Sequence, residues 1–188
     1  VYVTSSNRDA SVNVDVSAEL DGYWADTGAS MPVGPAASID PVARRLVHAT
    51  REAQGAAMNA ARAGRPLRHI GRAVQRCAHR RGFTVIGNLS GHGVGGFLHE
   101  PPSVPSIEDP SDRTVLWEGL VLAIEPFLST GAHVAVDGDD GWTLVTPDGS
   151  LSAQLGLGWR APDLAVHIQQ ASLDKLSLQD GKTSLASL

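Results

Sequence analysis

Val12-Asn13-Val14-Asp15-Val16-Ser17-Ala18-Glu19-Leu20-Asp21-Gly22-Tyr23-Trp24-Ala25-Asp26-Thr27 alternates at period two, with β-branched residues on one face, and then turns on Asp-Gly. Alternation of this kind belongs to a half-buried strand, and Asp-Gly between two such runs is the strongest short hairpin signal. The reading is an antiparallel ribbon with Asp15 and Asp26 on neighbouring strands. Two strand aspartates are most simply surface charge. Asp15, however, sits between Val14 and Val16, and a carboxylate in apolar company is costly unless something positive partners it. A metal ion would serve.

Further along, Ser90-Gly91-His92-Gly93-Val94-Gly95-Gly96-Phe97-Leu98-His99-Glu100-Pro101 places two histidines seven residues apart across a glycine-rich turn. Neutral imidazole is the commonest metal ligand and moves protons near pH 7. Glycines on both sides of His92 allow a tight turn and a close approach to an ion. Leu120-Val121-Leu122-Ala123-Ile124-Glu125-Pro126 is an apolar strand that ends on a carboxylate, the third acid in hydrophobic surroundings. Asp15, Asp26, His92 and Glu125 form a set of hard oxygens with one imidazole, suited to a divalent Co, Mn, Fe or Zn ion.

Between these stretches lie two helices. Asp40-Pro41 reads as N-cap and first helical position, with Val42, Leu46, Ala49, Ala53, Ala57 and Ala60 as an inward stripe that Gly64 ends. Pro66-Leu67 opens the second, with Ile70, Val74 and Cys77 on its apolar side and Gly82 at its end. Cys77 therefore reads as core filling, and His69 and His79, among arginines, as a solvated face. Phe83 to Ile86 is a short strand, Pro101 to Asp112 a loop, and Val134 to Thr146 a hairpin. A last strand begins at Leu151. After Gln154 no strand alternation is expected, and Asp163 to Leu188 lacks a core-building period.

With 188 residues, 42% hydrophobic and 19% charged, the chain is one ordinary globular domain. A net charge of -5 provides no footprint for nucleic acid or an anionic membrane. No run approaches the roughly 20 apolar residues of a membrane helix. The single cysteine and the lack of a signal-peptide pattern point to the cytoplasm. The first residue is Val rather than Met, which suggests a fragment or a processed product.

The motifs together resemble the methionine aminopeptidases, the type I branch of the pita-bread metallopeptidases. The matching stretches are Asn13–Val16 with Asp21–Thr27, Gly91–Gly95 with His99–Pro102, Ala123–Pro126, and Gly141–Thr143 through Ser150–Gln154. The eleven-residue gap between the aspartates is part of the likeness. Prolidase-like relatives share the metal logic, but the His99-Glu-Pro-Pro-Ser-Val run favours the methionine enzymes. The likeness implies an α/β fold, a curved antiparallel sheet covered by helices. It implies two divalent ions, with Asp15 on one, Asp26 shared, and His92 and Glu125 on the other. Water activated by bound metal would attack a peptide carbonyl. Glu125 would shuttle the proton, and His99 would hydrogen-bond the scissile peptide. Leu98, where the family often has Phe, and Trp142 would line the methionine pocket. The substrate implied is the N-terminus of a peptide or nascent protein, and a monomer is expected.

Two departures go with the likeness. The family has a glutamate bridging both metals two residues after the Ser-Ala-Gln run, and this chain has Gly156 there. It also has some eighty or more residues before the first aspartate strand, against about ten here. The expectations are an unmatched segment over 1–10, a partial catalytic domain over 11–154 and a divergent tail over 155–188. They extend to exposed apolar surface, at most one tightly held ion and impaired turnover. The alternatives are a non-catalytic remnant or binding module of the same fold, or an aminopeptidase acting on other N-termini.

Overall fold

The computed structural model describes residues 2–6, 11–35 and 37–160. The tail from 161 onward lies outside the described residues. Strand β1 (Tyr2–Ser6) pairs with β2 (Ser11–Leu20), which turns through Asp21-Gly22 into β3 (Tyr23–Met31). Asp21 and Gly22 both have positive φ, 53° and 84°, as a two-residue hairpin turn in register with twisted strands requires. Helices α1 (Pro41–Ala60) and α2 (Arg68–Arg81) follow. Asp40 caps α1 by accepting from the Val42 amide at 2.8 Å.

The remaining elements are β4 (Thr84–Val85), β5 (Ser90–Gly93), β6 (Glu100–Pro105), β7 (Val121–Ile124), β8 (Phe127–Ser129), β9 (Val136–Asp137), β10 (Leu144–Val145) and β11 (Ser152–Arg160). Among the described residues the main sheet runs β1-β2-β3-β11-β7-β5-β6, with β8 joining β11 to β4. Every strand pairing in it among the described residues is antiparallel, and β9 and β10 form a separate ribbon.

The sheet has two chemically distinct faces, set by the period-two alternation of strand side chains. One is apolar: Leu122, Ile124 and Leu128 join Leu46, Ala53, Ala57, Ile70 and Val74 of the helices in one buried core. Alanines on α1 have no bulk to hold helix and sheet apart, so Ala49, Ala53 and Ala57 are essentially inaccessible. The other face carries the polar alternates: Asn13, Asp15 and Ser17 on β2 stand opposite Ser30, Gly28 and Asp26 on β3.

Tyr2–Ser6 is a strand in register with β2. Two expectations are corrected. Pro101 to Asp112, read as loop, begins with β6; its prolines fit because β6 is the edge of the sheet order, where a missing amide hydrogen leaves no ladder bond unmade. The last strand does not stop at Gln154. It runs to Arg160, pairing Leu155, Gly156 and Leu157 with Ala29, Gly28 and Thr27, and 157–160 with β7. Leu155-Gly156-Leu157-Gly158 does alternate; glycine on the polar face made the run read as a breaker.

Candidate metal centre

The β2–β3 register sets Asp15 opposite Gly28 and Ser17 opposite Asp26, so both aspartates project from the same face of the ribbon. Gly156 on β11 lies level with Gly28, and His92 on β5 pairs with Ala123 on β7, two residues before Glu125. Four strands thus bring their polar alternates to one place. Asp26, His92 and Glu125 each offer one ligand atom there, all within 4.8 Å of one another. His92 Nε2 stands 3.4 Å from Asp26 Oδ2 and 3.6 Å from Glu125 Oε2. Ligands about 2.1 Å from one tetrahedral ion stand about 3.4 Å from each other, so the donor set fits a single divalent ion. Asp15 is not one of the three at that spacing, and the sequence reading places it on a different ion from His92 and Glu125.

Each of the three side chains is also held through its other polar atom. Ser17 Oγ donates to Asp26 Oδ1 at 2.8 Å. His92 Nδ1 lies 2.9 Å from the Gly93 carbonyl oxygen; a carbonyl only accepts, so Nδ1 donates there and Nε2 is the ring atom turned to the two carboxylates. Gln154 Nε2 donates to Glu125 Oε1 at 3.1 Å. Gln154 is in turn held by Asn13, whose Nδ2 donates to Gln154 Oε1 at 2.8 Å and to Ser30 Oγ at 3.0 Å.

The electrostatics match a site arranged for positive charge. Burial pushes the Glu125 carboxyl up to about 7, with Asp26 and Asp15 adding to the rise and the Gln154 hydrogen bond opposing it. Burial, and then Asp26, raise Asp15, against the Val16 amide and His92. Asp15 Oδ1 is buried with no hydrogen-bond partner among the described residues. Crowded, desolvated carboxylates of this kind are relieved by a cation.

Of the other residues read from the sequence, His99 lies against this centre. His99 is exposed, with its ring centroid 4.3 Å from that of His92 and the planes tilted by 58°. Leu98 is partly exposed beside it. Trp142 is 72% exposed, in the turn between β9 and β10. Position 156 faces the centre: a Cβ built on Gly156 would stand 2.7 Å from Glu125 Oε1 and 2.8 Å from Gln154 Nε2. Ser17, Asn13 and Gln154 were not foreseen as site residues. Their parity was the available signal, since Asn13 and Ser17 flank Asp15 on one face of β2 and Gln154 shares a face with Gly156.

The model of metallopeptidase family M24 matches residues 4–166, across both ends of the stretch read from the motifs. The chain is similar to methionine aminopeptidase 2 of Bacillus subtilis, 41% identical over 145 residues, covering 77% of this chain and 57% of that one. It is 37% identical over 157 residues to methionine aminopeptidase 2 of Mycobacterium tuberculosis, covering 84% of this chain and 54% of the relative. A crystal structure of methionine aminopeptidase from Thermotoga maritima superposes with a TM-score of 0.74 at 36% identity, over 80% of this chain and 60% of that one. The chain spans a little over half the length of the curated relatives it matches. A buried carboxylate–imidazole centre on an antiparallel sheet, together with a family match over most of the sequence, makes the chain a member of metallopeptidase family M24.

Proposed function

We propose that the chain is a metal-dependent aminopeptidase that removes methionine from the N-terminus of peptides and nascent proteins, with weak turnover. The observation that carries the reading is the convergence of Asp26 Oδ2, His92 Nε2 and Glu125 Oε2. These three would hold the ion. Asp15, with only the shared Asp26, would hold a second one loosely, because residue 156 brings no bridging carboxylate. One tightly held ion, Co, Mn, Fe or Zn, is the expected complement.

Bound there, a divalent ion supplies Lewis acidity and a water acidic enough to attack a carbonyl near neutral pH. Glu125 would accept a proton from the attacking water and return it to the leaving amine. His99, at the exposed side of His92, donates an N–H to the scissile peptide oxygen. Leu98 and Trp142 offer apolar surface for the methionine side chain. This chemistry suits a cytoplasmic protein that meets new N-termini.

The test is release of methionine from a Met-Ala-Ser peptide by the purified chain with Co(II) or Mn(II). Slow release, abolished by a chelator and by Asp26→Asn, is expected. No release above the Asp26→Asn background overturns the catalytic reading. Glycine at position 156 favours a second reading, a cation-binding but non-catalytic form of the fold, which that negative result together with retained metal binding would support.

A further inference from the structure

We propose that Gln154 is a positioning residue for Glu125, selecting which carboxylate oxygen meets the cation, and that it does so because residue 156 is glycine. The inference rests on reading Asp26, His92 and Glu125 as a cation site.

Glu125 has two oxygens, and the structure treats them differently. Oε1 accepts from Gln154 Nε2 at 3.1 Å, whereas Oε2 faces His92 Nε2 at 3.6 Å. Gln154 has no freedom to flip its amide, because its own oxygen accepts from Asn13 at 2.8 Å. An Asn13–Gln154–Glu125 chain therefore crosses from β2 over β11 to the residue after β7. Gln154 is 4% exposed, so water does not compete for the amide. Asp26 is treated alike on the opposite side, with Oδ1 held by Ser17 and Oδ2 turned to His92. Partners of this kind orient metal ligands and set how well they bind.

The link to residue 156 is steric. The amide and Glu125 Oε1 occupy the space a side chain there would enter: the built Cβ is 2.8 Å from Gln154 Nε2 and 2.7 Å from Glu125 Oε1. Real Cβ atoms do not approach that closely, so any larger residue must push the amide or the carboxylate aside. Both are the ends of flexible side chains, and the backbone neighbour, Gly28 N, is at 3.2 Å. Alanine therefore requires Gly28 N to give by a few tenths of an ångström, and the Gln154–Glu125 bond cannot stay as it is. Glutamate at 156 would likewise displace Gln154 before it could add a ligand.

Co(II) titration by calorimetry, with the visible absorption of the bound ion and the melting temperature recorded in parallel, tests this. Wild type, Gln154→Leu, Gly156→Ala and the double variant are compared, with Asp26→Asn as the variant lacking the site. Ser129→Ala, which removes a buried turn-holding hydroxyl on β8, controls for lost stability alone. Gln154→Leu and Gly156→Ala should each weaken Co(II) about 10- to 100-fold and change its absorption. The double variant should bind no more weakly than the worse single one, and Ser129→Ala should bind as wild type. Unchanged affinity in Gln154→Leu, or losses that simply add in the double variant, would overturn the role of Gln154. Should Gln154→Leu fail to fold, unchanged affinity in Gly156→Ala would overturn it as well. Wild type that binds no more Co(II) than Asp26→Asn would instead overturn the cation site itself, and this inference with it.

Discussion

Glu125 and Asp140 are the same chemical group handled in opposite ways. Asp140 lies in the exposed β9–β10 turn, where its oxygens accept from the Trp142 amide at 3.0 Å, the Thr143 amide at 2.7 Å and the Thr143 hydroxyl at 2.6 Å. Those donors, the Thr143 hydroxyl foremost, pull its carboxyl down to about 2. Glu125 is 8% exposed, has the Gln154 amide as its hydrogen-bond donor and sits near two other acids, so its carboxyl is pushed up to about 7. Asp140 is complete without a ligand, and its function is to close a turn. When ionised, Glu125 carries negative charge that the protein leaves largely uncompensated. In this molecule it is the imbalance, rather than the presence of acids, that distinguishes a candidate metal centre from an ordinary turn.

The comparison breaks most readily by removing each charge in turn. Asp26→Asn should reduce tight Co(II) uptake at least 100-fold, while Asp140→Asn should leave it unchanged; equilibrium dialysis with metal analysis reads both. Equal losses would erase the distinction. A smaller effect concerns stability. With free cation at 100 times its dissociation constant, the wild-type chain should gain about 2.7 kcal/mol by mass action, seen as a higher melting temperature that Asp26→Asn does not share.

Next in size, Glu125→Gln should raise the melting temperature of the chelator-treated protein at pH 8, because it removes a buried charge that burial and two neighbouring acids disfavour. A fall would mean that Glu125 is already compensated. The smallest effect is local and falls on the turn. The folded Asp140 carboxyl lies below its ordinary value of 3.8, so its contribution is whole above that value and is lost as pH falls through about 2. Amide NMR of Thr143 should report the release, with the sheet amides unchanged over the same range.

Much of the centre was legible because its chemistry is carried by residue types that are costly where they stand. Asp15 between valines and Glu125 after an apolar strand both announced a need for positive charge. His92 between glycines supplied the imidazole, and Asp-Gly placed the two aspartates on one ribbon. Less legible were the groups that hold these side chains. Asn13, Ser17 and Gln154 are unremarkable polar residues in sequence, and they matter here only through cross-strand neighbours up to 141 positions away. The run from Leu155 to Arg160 was misread for a related reason. Glycine lowers strand propensity wherever it occurs, yet at Gly156 a side chain would strike Glu125 and Gln154.

Local sequence by itself determined the ribbon, the two helices, the polar face of β2 and the four candidate ligands, Asp15, Asp26, His92 and Glu125. These follow from alternation, capping and turn chemistry, which act within a few residues. Tertiary structure decided which atoms meet. It set Gly156 level with Gly28, drew Gln154 onto Glu125, left Asp15 beside the three-residue group rather than in it, and carried β11 past Gln154 between β3 and β7. Register between strands distant in sequence decides such matters, and register is fixed by burying one face of the whole sheet against α1 and α2, a condition that no single stretch of the chain contains.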